Sequence, residues 1–218
     1  MSGIIKALMY VSIFSGAVPL VLMFIYKKSI KQKHFIWLGL LILSSFLTDI
    51  TSLIAIKTHL IRSNAYFGNF YNIIQFILLL LIYHEFYLKE KKLLILILCL
   101  IYFGFEIVNS IYFQKLSDPQ TWTKTLSAMI FLGLAIGYVE HLLKRDPLIN
   151  LLRFAPGWIN IAVFFYFGFS LYIFIMAEYV FTSPPTDVAL LFWGFHNFNN
   201  ILKHCLFATG IYLAKTEK

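Results

Sequence analysis

The 218-residue chain is 60% hydrophobic and only 13% charged, with a net charge of +8. Soluble domains carry about 25% charged residues, so this chain has too little polar surface for a water-soluble globule. The same apolar content excludes intrinsic disorder. Its basic residues lie at the ends of apolar runs and form no patch. That placement favours contact with the lipid bilayer and excludes nucleic acid as the expected partner.

Seven apolar stretches reach the roughly 20 residues that a membrane-spanning helix needs. They cover residues 4–26, 35–57, 66–88, 93–113, 123–143, 157–181 and 187–214. The first is too long for a signal peptide and is not followed by a small-residue cleavage site, so we interpret it as a retained helix. The prediction is therefore an all-α polytopic membrane protein, with a single seven-helix transmembrane domain over residues 1–218.

Two local features modify this pattern. Pro19 frees a backbone carbonyl and predicts a kink in the first span. In the fifth span, Gly133 and Gly137 form a GxxxG motif, which allows helices to approach closely.

The lysine and arginine residues predict the orientation. Twelve of the 18 follow the first, third, fifth and seventh spans, five lie on the opposite side, and Lys203 lies within the seventh span. Cytoplasmic loops are enriched in basic residues. The N-terminus is therefore expected outside and the C-terminus in the cytoplasm, in the inner membrane of a bacterium.

A short segment of the third span recurs in the seventh. Residues 69–73 (NFYNI) align with residues 197–201 (NFNNI) at a separation of 128 residues. This indicates two parallel three-helix repeats, residues 1–88 and 123–218, joined by a linker helix at residues 93–113, an arrangement known in transporters. Two unrelated helices under a similar polar constraint would give the same likeness, and that alternative stays open.

Polar side chains recur at helical spacing inside four of the spans, near the middle or in the predicted outer half of the bilayer. An ionisable side chain near the bilayer centre costs about 2.5–3.5 kcal/mol on insertion scales and so marks a partner or a cavity. The predicted ligand-binding residues are Asp49, Asn69, Asn72, Gln75, Glu106, His196, Asn199, Asn200 and Lys203.

We expect Lys203 and His196 to meet the anionic part of a small polar or anionic solute. Asp49 and Glu106 would handle protons or cations, and the amides would orient the solute. The function that this predicts is binding and transport of that solute at an intramembrane pocket in the outer half of the bilayer. Two alternatives stay open. The chain could be a receptor, sensor or accessory subunit that relays an external signal to a membrane protein partner. The polar groups could also serve only as hydrogen bonds between helices.

Enzymatic and cofactor chemistries are less favoured. Cys99 and Cys205 lie in apolar runs without metal-binding spacing, and His196 and His204 lie more than two helical turns apart. A lysine in the seventh of seven spans resembles the retinal-binding lysine of rhodopsins, but the third span lacks an acid in its outer half. No cofactor and no metal are predicted, and an intramembrane enzyme is a minor alternative.

Residues 45–49 (SFLTD) in the second span and residues 197–203 (NFNNILK) with Phe207 in the seventh resemble a set of small bacterial seven-helix membrane proteins. The layout is also similar to transporter, opsin and receptor bundles with three, one and three helices. This resemblance implies the helix layout and no activity, since no function is assigned to that set and a shared fold does not fix one.

Overall fold

The computed structural model describes residues 3–27, 30–60, 64–182 and 186–215, without the side chains of residues 178–187. Within these ranges all regular secondary structure is helical. The helices are α1 (Gly3–Ser15), α2 (Ala17–Tyr26), α3 (Lys33–Lys57), α4 (Ala65–Tyr83), α5 (Lys92–Tyr112), α6 (Thr121–Arg145), α7 (Ala155–Thr182) and α8 (Thr186–Ala214). Lys28, Arg62 and Lys218, which contribute to the predicted orientation, lie outside the described residues.

Two short elements supplement the long helices. A π-helical turn, His84–Leu88, extends α4, and a 3-10 turn, Leu151–Arg153, precedes α7. The first predicted span is divided into α1 and α2 at Gly16. This break lies one turn before Pro19, whose missing N–H leaves the carbonyl of Ser15 without its helical partner.

Within the described residues, six helical segments are long and apolar enough to cross a membrane. They are Gly3–Tyr26, Lys33–Lys57, Ala65–Leu88, Lys92–Phe113, Thr121–Arg145 and Ala155–Ala177. The seventh predicted span is α8, which is helical over its predicted length but not among the six. Histidine, asparagine and lysine side chains interrupt the apolar residues of this helix.

The long helices pack in a ring. The first span packs on α8, then the order is α8, α7, α6, α4 and α3, and α3 returns to α1 and α2. Outside this ring, α5 packs mainly on α6. It buries Tyr102, Glu106 and Asn109, which share one helical face, and exposes leucine and isoleucine on the other faces. Such an apolar outer surface is typical of a helix that faces lipid.

The two halves of the bundle differ in their interiors. We call one end the basic end, because Lys27, residues 89–92, residues 144–145 and Lys215 lie there. The half next to it is filled by apolar and aromatic side chains such as Phe35, Tyr83 and Leu88. Buried polar side chains lie in the middle and in the opposite half, which we call the polar half; Asn160 is the exception among the described residues.

Candidate functional site

A small cavity lies in the middle of the bundle, where α3, α4, α7 and α8 meet. Each of these helices contributes three lining residues, namely Leu41, Ile42, Ser45, Tyr71, Gln75, Leu79, Val163, Tyr166, Phe167, Lys203, His204 and Phe207. Its volume of about 10 Å³ is near the minimum that one water molecule requires. The bundle is therefore closed around this point in the present conformation.

Lys203 is the cation of this cavity. Its side chain is only 5% exposed. Its Nζ donates a hydrogen bond of 3.1 Å to Oδ1 of Asn200 and lies 4.2 Å from the centroid of the Tyr166 ring. No carboxylate of the described residues lies within 4 Å of this Nζ. An ammonium group has three N–H donors, so Lys203 keeps hydrogen-bonding capacity beside the cavity.

Asp49 is the anion that interacts with Lys203, and it lies one turn along α3 from the cavity-lining Ser45. It interacts electrostatically with Lys203 and with the side chains of Tyr71 and Tyr166. In the part of the chain that the structure describes, the Asp49 carboxylate accepts no side-chain hydrogen bond and forms no ion pair within 4 Å. Opposite charges thus lie near each other at the cavity region, and among the described residues they form no contact ion pair.

Hydroxyl and amide groups line the cavity beside Lys203. Nε2 of Gln75 lies 3.4 Å from Oη of Tyr71 and donates to it, and Tyr71 also interacts with Ser45. Tyr166 interacts with Gln75 and with Ser170. The sequence pattern did not single out Tyr71 or Tyr166, since a tyrosine inside an apolar span looks like an ordinary packing residue.

Towards the polar half, α8 continues the hydrogen-bonded chain. Nδ2 of Asn200 lies 3.2 Å from Nε2 of His196 and donates to it, while Oδ1 of Asn200 accepts from Lys203. Nδ1 of His196 is buried without a partner among the described residues. His204, on the other side of Lys203, has Nδ1 at 2.8 Å from Oγ of Ser15. This contact joins α8 to α1 directly before the break at Gly16.

Asn199 has a different role from its neighbour Asn200. It is fully buried, and its Nδ2 donates to the backbone carbonyl of Tyr166 and to Oγ of Ser170, both at 2.9 Å. These two bonds fix α8 against α7. Asn199 therefore holds the helix that carries Lys203 and does not line the cavity.

Two predicted site residues on α4 face the α5 side of the bundle. Nδ2 of Asn69 donates to the carbonyls of Leu116 and Asp118, and its Oδ1 accepts from the backbone N–H of Gln120. These bonds anchor the connection between α5 and α6. Nδ2 of Asn72 donates to Oη of Tyr102 on α5 at 2.9 Å. Both asparagines fix helices and connections in place.

Glu106 belongs to a second group of charges in the polar half. Its side chain is 7% exposed and its Oε2 is buried without a partner in the described structure. Its electrostatic neighbour is Lys124 on α6, which also interacts with His196 on α8. No contact ion pair joins Glu106 and Lys124 within 4 Å among the described residues. Lys124 looked like a boundary charge in the sequence, because it lies near the start of its span.

The structure thus divides the nine predicted site residues into three sets. Gln75 and Lys203 line the cavity, with Asp49, Asn200 and His196 around Lys203. Asn199 braces α8, and the remaining residues (Asn69, Asn72 and Glu106) lie on the α5 side. Among the described residues, no group of three or more histidine, cysteine, aspartate or glutamate side chains could hold a metal ion.

This architecture is that of a helical multi-pass membrane protein with buried charged side chains at its centre. Comparison with protein-family models, curated proteins and solved structures finds no match. The resemblance to small bacterial seven-helix proteins therefore stays a prediction.

Proposed function

We propose that the chain crosses a bacterial inner membrane seven times, with its N-terminus outside and α8 as the seventh span. The distribution of polarity around α8 supports this. Leu191, Trp193 and Phe198 are exposed on its outer surface, whereas Asn199 and Lys203 are buried inside the bundle. The polar side chains that interrupt α8 then lie towards the bundle, and apolar side chains lie on its lipid-facing side.

We further propose that the chain contains two parallel three-helix repeats. The cavity lining supports this in addition to the sequence likeness. Gln75 on α4 lies 128 residues before Lys203 on α8, and Leu79 lies 128 residues before Phe207. This is the separation of the segments 69–73 and 197–201, and all four residues line the cavity. Equivalent positions of the two repeats would thus face the same space.

The function we propose is binding and transport of a small polar or anionic solute at the central cavity. The observation that carries it is Lys203, a buried cation with unused N–H donors and no contact ion pair among the side chains that the structure describes. Burying a charge without a close partner costs several kcal/mol. A lysine that only joined helices would be replaceable by a neutral amide at lower cost. An anionic group of a solute would use the free donors of Lys203, and Glu106 would handle protons or cations.

The present conformation would be a closed state of this site. The cavity has room for about one water molecule, and the apolar side chains in the half of the bundle next to the basic end close one side of it. Entry from the polar half would then require a helix to move. We propose that α1 is that helix, because the break at Gly16 separates it from α2 and the contact between Ser15 and His204 holds it to α8.

The proposed binding is tested by the melting temperature of the detergent-purified protein against a panel of small carboxylates, phosphates, sulfate and amino acids. A solute at a hundredfold excess over its dissociation constant stabilises the folded state by about 2.7 kcal/mol. We expect a shift in the wild type and in Lys57→Met, which removes an exposed lysine at the end of α3, and no shift in Lys203→Met. A shift that persists in Lys203→Met would contradict this location.

A second candidate function is a sensor or accessory subunit that uses the same cavity. The closed apolar interior next to the basic end favours a sensor. A transporter must also open on that side, and a sensor need not. Uptake of the binding solute into sealed proteoliposomes separates the two. Accumulation that disappears in Lys203→Met supports transport, and tight binding without uptake supports the sensor.

A further inference from the structure

The central cavity region holds one group of each charge, and each has free hydrogen-bonding capacity. Lys203 uses one of its three donors on Asn200. The Asp49 carboxylate is an acceptor without a hydrogen-bonded partner among the described residues, and it interacts electrostatically with Lys203. The two groups lie too far apart to form an ion pair within 4 Å, so a ligand must contact both of them from between, in an opened form of the cavity that is closed here.

Charge balance decides which ligand fits this arrangement. The pair of Lys203 and Asp49 is electrically neutral before anything binds. A simple anion on Lys203 would add a second negative charge close to Asp49 in a poorly hydrated site, where charges interact more strongly than in water. A zwitterion adds no net charge and gives each buried group an opposite partner.

The neighbouring charges do not alter this balance. Lys124 and Glu106 form a second neutral pair on the α5 side. His196 accepts from Asn200 through Nε2, which is the pattern of a neutral ring. Apart from His204, the polar groups that line the cavity beside Lys203 are hydroxyls and an amide, from Ser45, Tyr71, Tyr166 and Gln75. They can donate to a carboxylate or accept from an ammonium group.

We propose that the solute is a small zwitterion of the amino-acid class, with its carboxylate on Lys203 and its ammonium group on Asp49. This inference rests on the proposed function of the central cavity. It assigns Asp49 to the solute itself, and leaves Glu106 as the buried carboxylate available to a proton or cation.

The test is a set of dissociation constants measured by isothermal titration calorimetry on the purified wild type. Each of the common L-amino acids, glycine included, is titrated first. The one that binds most tightly is then compared with its des-amino carboxylic acid and with its decarboxylated amine, each of which keeps one charge. We expect both analogues to bind at least about 30-fold more weakly, since removing one member of a buried charge pair leaves the other unpaired.

Two variants make the assignment specific. Asp49→Asn should weaken the amino acid at least about 30-fold and leave the des-amino acid unchanged or tighter, because its repulsion from Asp49 is gone. Lys203→Met should abolish binding of the amino acid and the des-amino acid, and retain that of the amine. Glu85→Gln, which removes a carboxylate paired with Lys89 at the basic end, is the matched control and should change no dissociation constant.

The outcomes separate this inference from the proposed function. If carboxylates or phosphates bind as tightly as any amino acid, and Lys203→Met abolishes that binding, the zwitterion is wrong and the anion site stands. If Asp49→Asn weakens the amino acid and the des-amino acid equally, the assignment of Asp49 is wrong. If neither amino acids nor anions bind the folded wild type, both proposals are wrong.

Discussion

The ammonium group of Lys203 lies 4.2 Å from the centroid of the Tyr166 ring, while Asn199, one turn earlier on α8, donates to the backbone carbonyl of the same tyrosine. Tyr166 therefore has two functions in one contact region. Its backbone fixes the position of α8, and its ring stabilises the cation that α8 carries. Because the ring is a hydrophobic surface with a negative face, it can hold a lysine without neutralising it.

The first prediction concerns this ring. Tyr166→Phe should cost about 1 kcal/mol, since it keeps the ring and loses only the hydroxyl contacts. Tyr166→Leu should cost about 2 kcal/mol more, because a desolvated cation–π contact is lost as well. Thermal unfolding in detergent measures both. In a Lys203→Met background the difference between the two substitutions should shrink; an unchanged difference would mean that Lys203 gains nothing from the ring.

A second prediction concerns Asn69, which bonds three backbone groups of the connection between α5 and α6. Asn69→Ala should lower the free energy of unfolding by about 2–3 kcal/mol and expose that connection to protease, because three backbone groups lose their partner. Solute affinity should stay unchanged. The control is Asn64→Ala, since Asn64 is exposed and its side chain makes no capping bond. A large loss of affinity in Asn69→Ala would show that Asn69 serves the site.

The GxxxG motif leads to a third prediction. A Cβ at Gly137 would lie 2.9 Å from Oη of Tyr87, whereas a Cβ at Gly133 would meet nothing within 4 Å. Gly137→Ala should therefore destabilise the protein by about 1–3 kcal/mol through overpacking, and Gly133→Ala should not. Tyr87→Phe removes the clashing atom. A double-mutant cycle should show a smaller cost of Gly137→Ala in that background, and additive effects would contradict the contact.

A fourth prediction tests the proposed orientation. In a background with Cys99 and Cys205 replaced by serine, Lys115→Cys in the connection after α5 should react with a membrane-impermeant maleimide in intact cells. Leu148→Cys, at a 93% exposed position in the connection after α6, should react only after the cells are opened. Both residues are exposed, so access depends on the side of the membrane. The reverse pattern would invert the orientation, and labelling of both would contradict the odd number of spans between them.

Much of the helical layout follows from the sequence, because apolar runs of about 20 residues leave few alternatives. The predicted span at 157–181 corresponds to Ala155–Thr182, and the span at 123–143 to Thr121–Arg145. The π-helical turn at His84–Leu88 was not predicted, since an extra residue in a helical turn leaves no periodic signal. The break in the first span was expected at Pro19 and lies one turn earlier, where the freed carbonyl is.

The candidate site was harder to predict residue by residue. Polar side chains with helical spacing identified Lys203 and Asn200, because a charged side chain inside a membrane span normally faces a partner or a cavity. The same rule selected Asn69, whose partners are backbone groups of a connection that the sequence alone does not locate. Tyr71 and Tyr166 were not predicted, because a tyrosine inside an apolar span looks like an ordinary packing residue. Their hydroxyls matter only once α4 and α7 are known to face each other.

The central claim is that Lys203 serves a ligand and not the fold, and the melting temperature of Lys203→Met in the absence of any solute tests it most directly. A buried lysine without a contact ion pair should cost stability, and methionine fills the same volume without a charge. We therefore predict that Lys203→Met melts at or above the temperature of the wild type. If Lys203 instead neutralises Asp49 to hold the bundle together, its removal should cost about 3–5 kcal/mol. A fall in melting temperature of about 6 °C or more, comparable to that of Asn69→Ala, would contradict the account.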